Sequence, residues 1–219
     1  LEFDLHPTAT RVRCTVKFRP NPNSSSSEFF LHGENLTFLS AYINGAAVTP
    51  VITKAGLSCT VPDGPFIWQS EVEINPSANT ELSGLYMSNG MFCTQCEAEG
   101  FRRITYYPDR PDVMAPFDVT IHSDLPYALS NGEPMRDEGQ TRRWQDPWPK
   151  PAYLFALVAG EFQVVSDHFT TASGKPVDLN IYVRDGDQDK CAFALEALKA
   201  SMAWDERGRL WVAETPEYP

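Results

Sequence analysis

The chain has 219 residues, a net charge of −11 and five cysteines. Its length allows one or two domains with a sizeable core. The acidic surplus argues against nucleic acid as a partner, because phosphate binding needs clustered Lys and Arg. No apolar run approaches the ~18 residues of a membrane span. The odd, low cysteine count argues against a disulfide framework. We therefore expect a reducing compartment, cytoplasmic or organellar, with a targeting segment left open because the chain begins without Met.

Most of the chain has the pattern of short β-strands separated by turns. Apolar and polar residues alternate over residues 1–19, and a period of two indicates β structure. Residues 20–27 predict a surface loop, and Asn44-Gly45 predicts a tight hairpin turn. Residues 153–159 are almost wholly apolar, as in a strand buried on both faces. Further strands are predicted at residues 28–31, 36–43, 48–52, 57–61, 71–74, 117–122, 142–145, 162–170 and 177–183.

The pattern changes near the C-terminal end. Residues 192–207 contain no Gly or Pro and are rich in good helix formers. Leu195, Leu198 and Met202 recur at helical spacing. The sequence therefore predicts a mostly β fold, either a sandwich or an open, saddle-like sheet, followed by one helix.

The densest polar chemistry lies at residues 93–113. This stretch mixes carboxylates, an amide, arginines, aromatics and turn residues within a short length. A buried charge must be paired, so such a mixture suits a polar pocket better than a core.

The amino-acid sequence of this stretch resembles that of a known family. The segments are Cys93-Thr94-Gln95-Cys96-Glu97-Ala98-Glu99-Gly100-Phe101-Arg102, Ile104-Thr105-Tyr106-Tyr107, Asp109-Arg110-Pro111-Asp112-Val113 and Tyr153-Leu154-Phe155-Ala156-Leu157-Val158-Ala159-Gly160. They are similar to the zinc aminopeptidases of the bacterial aminopeptidase N type, and the likeness runs over about residues 1–206. It implies an N-terminal β domain at residues 1–188 and the first helix of a catalytic domain at residues 189–207. Residues 208–219 do not resemble the family's continuation and are interpreted as a divergent tail.

The resemblance also implies two substrate-binding residues, Gln95 and Glu97. In the family, the Glu of this motif helps to bind the substrate's free α-ammonium group and the Gln contacts the substrate. Charge-assisted hydrogen bonds of this kind are strong in a partly desolvated pocket. The competing interpretation is structural, with Glu97 paired to Arg102 or Arg103 at the surface.

The chain lacks the family's zinc motif. Such a site needs His-Glu-x-x-His on a helix, so that two His bind zinc from one face. The histidines here are His6, His32, His122 and His168, and none has a second His four residues away. The family's Gly-x-Met-x-Asn motif is also absent. We therefore expect no catalytic residue, metal ligand or cofactor in this chain, and little activity from it alone. Zinc is expected in the full-length enzyme.

Other groups in the same stretch have alternative interpretations. Cys93-x-x-Cys96 could be a redox pair or half a zinc site, but two reduced thiols are favoured. An ion-pair network that fixes the loop is favoured over catalytic acids for Glu99, Arg102, Asp109, Arg110 and Asp112. Core and interface packing is favoured over a stacking surface for Tyr106, Tyr107, Trp144, Trp148 and Tyr153.

Two main hypotheses for function remain open. In the first, the chain is the N-terminal domain that covers the active site of a zinc aminopeptidase, and its partners are the catalytic domain and a peptide N-terminus. In the second, it is a stand-alone, non-catalytic scaffold that binds a partner protein through a patch that would otherwise face the catalytic domain. A carbohydrate-binding sandwich is a weaker third hypothesis, supported only by aromatic residues.

Overall fold

A computed structural model describes residues 1–21, 28–135 and 138–214, with side chains up to residue 207. Most of the predicted loop at residues 20–27 lies outside these residues. So do the side chains of the predicted tail. The chain forms two compact units, Leu1–Gly160 and Glu161–Pro219. The predicted domain boundary at residue 188 and the tail assignment stay predictions.

The first unit consists of β-strands joined by turns. In chain order they are β1 (Glu2–Asp4), β2 (Thr10–Phe18), β3 (Phe30–His32), β4 (Thr37–Ile43), β5 (Ala46–Ala47), β6 (Val51–Ile52), β7 (Gly56–Ser58), β8 (Phe66–Ile74), β9 (Gly84–Ser88), β10 (Met91–Gln95), β11 (Met114–His122), β12 (Tyr127–Ser130), β13 (Glu133–Pro134), β14 (Thr141–Pro151) and β15 (Leu157–Gly160). Short 3₁₀ turns lie at Pro76–Ala78, Phe101–Arg103 and Ala152–Leu154.

These strands form three sheets. The largest has the order β13-β14-β11-β1-β2-β8-β4-β5, a second has the order β12-β15-β10-β9, and a third has the order β3-β7-β6. Strand β1 pairs in parallel with β11 and antiparallel with β2. The predicted Asn44-Gly45 hairpin is confirmed, since both residues have positive φ and Ile43 pairs with Ala46.

The core of the first unit draws side chains from both larger sheets. Along β8, the side chains of Phe66, Trp68, Val72 and Ile74 are buried at alternate positions, as period two requires. Phe101 is fully buried, and its ring centroid lies 5.1 Å from that of Tyr107, 5.9 Å from that of Phe117 and 5.3 Å from that of Phe155. The segment that carries the predicted site is therefore anchored in the core.

The second unit contains the hairpin β16 (Gln163–Thr170) and β17 (Pro176–Val183), followed by α1 (Ala192–Glu214). The mostly β class with one C-terminal helix is confirmed. Within the described part of the chain, no helix has the length and apolarity needed to cross a membrane.

One strand prediction is wrong in its first half. Residues 153–159 do not form a continuous strand: Ala152–Leu154 is a 3₁₀ turn, and β15 begins only at Leu157. The side chain of Asn131 stabilises this turn, donating to the Leu154 carbonyl at 3.1 Å and accepting from the Ala156 N–H at 2.6 Å. A turn held by a residue so distant in the chain leaves no local sequence signal. Strands β9 and β10 were not predicted either, because polar residues interrupt their alternation.

Candidate functional site

The predicted substrate-binding residues lie at the end of a hairpin. Gln95 is the last residue of β10 and pairs with Gly84 of β9. The hairpin turns at Asn89 and Gly90, which both have positive φ. Thr94 fixes the hairpin to β15: its Oγ1 donates to the Leu157 carbonyl at 2.9 Å and accepts from the Leu157 N–H at 2.7 Å. The end of β10 is therefore tied to two neighbouring strands.

The chain then makes a compact turn, residues 95–99, which we call the tip. The tip is closed by a hydrogen bond from the Gly100 N–H to the Cys96 carbonyl at 2.8 Å. A Cβ atom on Gly100 would lie 2.2 Å from the Gln95 carbonyl oxygen and 2.9 Å from the Cys96 Cα. Only glycine fits there without moving the backbone, so the motif's glycine has a steric role.

Both predicted residues are exposed on the tip. The Nε2 of Gln95 donates to the Glu97 backbone carbonyl at 3.2 Å, which holds the amide against the turn. The peptide bond between Glu97 and Ala98 is cis. Among the described residues, the Glu97 carboxylate makes no hydrogen bond and no ion pair. Gln95 and Glu97 therefore lie together, with a free carboxylate facing solvent.

The nearby arginines have other partners. Arg102 donates from its Nε and its backbone N–H to Asp109 Oδ2, each at 3.1 Å, and from NH2 to the Asp109 carbonyl at 3.0 Å. Its NH1 also lies 3.3 Å from a Glu99 carboxylate oxygen. Arg103 pairs with Glu34 at 3.3 Å. The competing interpretation, in which Glu97 pairs with Arg102 or Arg103, is therefore not the arrangement observed.

The predicted ion-pair network is confirmed in residues 100–112, which follow the tip and which we call the base. Asp109 is only 4% exposed, and its Oδ2 accepts both hydrogen bonds from Arg102. Arg110 and Asp112 form a separate pair at the surface, with Arg110 Nε donating to Asp112 Oδ1 at 2.9 Å. The network leaves Glu97 out and fixes the segment that follows the tip.

The structure bears on the reactivity of one of the two thiols of Cys93-x-x-Cys96. The five cysteines all lie in the described residues, and none of them forms a disulfide. Cys96 is buried, and burial raises the pKa of its thiol to about 12. Metal binding and disulfide exchange both require the thiolate, so Cys96 suits neither at neutral pH. Cys93 is half-buried on β10.

The aromatic residues for which packing was favoured over a stacking surface divide between core and solvent. Tyr106 and Tyr107 are buried, as the packing interpretation predicts. The Nε1 of Trp144 donates to the Ala128 carbonyl at 3.0 Å, which ties its indole to β12. Trp148 is 77% exposed and is therefore not packed in the core.

One cluster of potential metal ligands was not predicted from the sequence. Glu2, Asp4 and His122 bring a ligand atom each to within 4.8 Å of one another, the only such group in the part of the chain that the structure describes. A guanidinium already occupies it: Arg13 contacts Glu2 at 2.8 Å and Asp4 at 2.9 Å. A fixed cation at this position does not fit a catalytic zinc site. Only the pairing of β1 with β2 and β11 brings these residues together, so no local motif could reveal them.

A family model and curated relatives agree on the family that this chain resembles. Residues 1–154 match the family model described as the Peptidase M1 N-terminal domain. The chain is 46% identical over 216 residues to aminopeptidase N of Caulobacter vibrioides and 44% identical over 217 residues to that of Escherichia coli. Each alignment covers 94% of this chain and 25% of the relative. The chain thus spans about a quarter of the length of these curated relatives.

Solved structures give the same result. The fold matches aminopeptidase A of Legionella pneumophila, solved with aspartic acid, with a TM-score of 0.84 and 37% identity over 94% of this chain and 26% of the other. A zinc metallopeptidase of Deinococcus radiodurans bound to a Tyr-Ser-Ala substrate matches with a TM-score of 0.68. Its identity is 16%, over 84% of this chain and 46% of that one, so it supports the fold alone.

Proposed function

We propose that this chain, which belongs to the M1 peptidase family as its N-terminal domain, covers the active site of a complete aminopeptidase and presents Gln95 and Glu97 to the amino end of a peptide substrate. The reaction implied for the complete protein is removal of N-terminal residues from peptides. The domain assignment follows from the family match. The role of the two residues is our inference.

The observation that carries the proposal is the free carboxylate of Glu97. It is exposed on a tip whose backbone is fixed by Thr94 and by the Cys96–Gly100 hydrogen bond. The two arginines that follow it in the sequence are engaged by Asp109, Glu99 and Glu34. A positioned anion without a partner is what recognition of a substrate ammonium group requires.

Gln95 would act as a second polar contact beside that carboxylate. Its Nε2 is already committed to the Glu97 carbonyl. That hydrogen bond fixes the side-chain amide against the backbone of Glu97 before substrate arrives, which lowers the entropy cost of binding. Together the two residues would select peptides with a free amino end over blocked ones.

The hydrolytic metal is not assigned to residues of this chain. None of its four histidines has the spacing of the zinc motif, and the one cluster of ligand atoms found among the described residues contains Arg13. Zinc is proposed for the complete protein only, because the chain belongs to the M1 peptidase family and its motif resembles that of the zinc aminopeptidases.

Two further expectations concern the compartment and the scaffold hypothesis. A reducing compartment remains a proposal, supported by five cysteines that form no disulfide. The scaffold hypothesis gains no support, because the curated relatives named above are all called aminopeptidases.

The test is Glu97→Gln in the complete enzyme, with KM and kcat measured on an aminoacyl fluorogenic substrate. Hydrogen bonds to charged groups contribute about 1.5–3 kcal/mol, so KM should rise about 10- to 100-fold. The thermal midpoint should not change, because Glu97 makes no contact that folding needs.

The matched control is Glu99→Gln, which removes the same charge two residues away. Glu99 is 70% exposed and pairs with Arg102, so its loss should leave KM within about twofold, as for other exposed ion pairs. An unchanged KM in Glu97→Gln, or equal effects of both substitutions, would refute the ammonium-binding role.

A further inference from the structure

The chain contains three Asn-Gly pairs, at residues 44–45, 89–90 and 131–132. In such a pair the glycine nitrogen directly follows a residue with a side-chain amide, and no side chain on the glycine obstructs its approach to that amide. The nitrogen can therefore attack the amide carbon when the two groups are free to meet. The fold places the three pairs in different surroundings, and these decide which of them can react.

Two of the pairs share one backbone geometry. Asn44-Gly45 joins β4 to β5, and Asn89-Gly90 joins β9 to β10, each as a two-residue hairpin turn. The φ angles are 51° and 82° in the first pair and 49° and 83° in the second. Positive φ at both positions is typical of the type I′ turn. A Cβ atom built on Gly45 or Gly90 would have no neighbour within 4 Å. Neither the backbone nor crowding at the glycine therefore distinguishes these two pairs.

The amide of Asn44 is held by a neighbouring strand. Its Oδ1 accepts a hydrogen bond from the Ile67 N–H at 2.9 Å, and the Asn44 N–H donates to the Ile67 carbonyl at 2.9 Å. Ile67 belongs to β8, which lies beside β4 on the side away from β5. To move toward the Gly45 nitrogen, the amide must break its hydrogen bond to β8.

The amide of Asn131 is held at both of its polar atoms. Its Nδ2 donates to the Leu154 carbonyl at 3.1 Å, and its Oδ1 accepts from the Ala156 N–H at 2.6 Å. Gly132 is also crowded, because a Cβ atom there would lie 2.2 Å from the Gln145 carbonyl oxygen. Reaction at this pair therefore requires the loss of two hydrogen bonds.

Asn89 has no such restraint. Both residues of its pair are exposed, and among the residues that the structure describes the Asn89 side chain makes no hydrogen bond. The order of the strands explains this difference. The turn follows β9, which is the edge strand of the sheet β12-β15-β10-β9, so no further strand of that sheet lies beside it. The position that β8 takes beside the Asn44 turn has no counterpart at Asn89.

We propose that Asn89 is a site of spontaneous deamidation, and that the fold protects Asn44 and Asn131 from the same reaction. The Gly90 nitrogen forms a bond to Asn89 Cγ, and the bond from Cγ to Nδ2 breaks. Nδ2 leaves as ammonia, taking up the proton that the Gly90 nitrogen loses. Solvent water then opens the resulting succinimide ring at either of its carbonyls, which gives aspartate or isoaspartate. The overall change is the uptake of water and the release of ammonia.

The products change this turn in two ways. Both add a negative charge at the surface. Isoaspartate also carries the backbone through the former side chain, which lengthens a turn whose length fixes the strand register. The turn lies at the end of the β9–β10 hairpin opposite to Gln95, so this site is independent of the role proposed for the tip.

The test is to age the folded chain at mildly alkaline pH and to follow each pair by mass spectrometry. Trypsin separates the three pairs, because they lie in the peptides 18–54, 55–102 and 104–136. Fragmentation of each peptide assigns the mass increase from amide to carboxylate to one residue. Opening of one net hydrogen bond corresponds to a factor of roughly five, so Asn89 should react at least about fivefold faster than Asn44 and about 25-fold faster than Asn131.

Unfolding in urea is the matched control, since it removes the restraints and leaves the sequence unchanged. The three rates should then agree within about threefold. Asn89→Gln, which moves the amide one methylene further from the backbone, should abolish the mass increase at this position.

Three results would overturn the proposal. The first is that the folded chain reacts equally at the three pairs, or faster at Asn44 or Asn131 than at Asn89. The second is that Asn89 reacts only in urea, because the folded turn would then protect it as well. The third is a difference in rates that persists in urea, because the sequence and not the fold would then cause it.

Discussion

Glu97 and Asp109 are carboxylates of the same short segment, yet the fold treats them in opposite ways. Asp109 is buried at the base, where the side chain and backbone of Arg102 satisfy it. Glu97 is exposed on the tip without a described partner. The base also contains Phe101, which is fully buried among aromatic rings. The comparison shows how one polar motif is divided between a buried ion pair, which we call the anchor, and an exposed carboxylate.

The division has a physical reason. A buried carboxylate must be paired, and Asp109 is paired with Arg102. That pairing, with the pairing of Arg103 to Glu34, removes the cations that could otherwise neutralise Glu97. Charge on the tip therefore depends on the anchor beneath it, although the two groups do not touch.

The largest expected effect on stability comes from breaking the anchor, the buried ion pair of Asp109 and Arg102. Asp109→Asn removes the buried charged partner of Arg102, which is only 11% exposed, and leaves it the exposed Glu99 carboxylate. Loss of one member of a buried pair costs about 3–5 kcal/mol, and we expect a decrease of that size in the free energy of unfolding, measured with urea. Asp112→Asn is the matched control, because its pair with Arg110 is at the surface. If both variants unfold at the same urea concentration, the anchor does not stabilise the fold.

A smaller effect should follow from distorting the link between anchor and tip. Gly100→Ala places a Cβ atom 2.2 Å from the Gln95 carbonyl oxygen, so the backbone must shift. Overpacking of this kind costs about 1–3 kcal/mol, and we expect a loss of stability in that range. In the complete enzyme KM should rise as well, because the tip would move.

Gly64→Ala serves as the control for that substitution. A Cβ on Gly64 has no atom within 4 Å, so the change should be nearly neutral. Equal urea midpoints for the two variants would show that the turn at Gly100 accommodates a side chain, contrary to the geometry.

The smallest effect is expected at Glu2, a carboxylate that is less buried than Asp109 and less exposed than Glu97. Glu2 is partly exposed, and its hydrogen bond to Arg13 lowers its pKa from 4.5 to about 2. A lowered folded-state pKa gives stability that is present above pH 4.5 and is lost as pH falls toward 2. Solvent screening at this exposed site limits the contribution to less than about 1 kcal/mol.

Glu2→Gln should therefore lower the urea midpoint slightly at pH 7 and weaken its dependence on pH between about 4.5 and 2. The measurement is a series of urea titrations over that interval for both proteins. An identical pH dependence in the two would mean that the pair with Arg13 contributes nothing to folding.

Much of the fold was determined by the sequence alone. Alternation of apolar residues identified strands such as β2 and β11, the Asn44-Gly45 pair identified its hairpin, and the composition of residues 192–207 identified the helix. These signals are local, because strand and helix periods repeat within a few residues. The motif around Gln95 and Glu97 identified the family for the same reason, as a continuous string.

Tertiary structure decided which groups pair with which. The strand predicted at residues 153–159 begins late because Asn131, distant in the sequence, binds its first turn. Arg102 and Arg103 are close enough in sequence to pair with Glu97, but Asp109 and Glu34 bind them instead. Pairing and burial depend on strand register and on contacts between distant segments, which no local pattern encodes. For that reason the sequence could only predict Gln95 and Glu97 as substrate-binding residues, whereas the fold determined that the Glu97 carboxylate has no partner among the described residues.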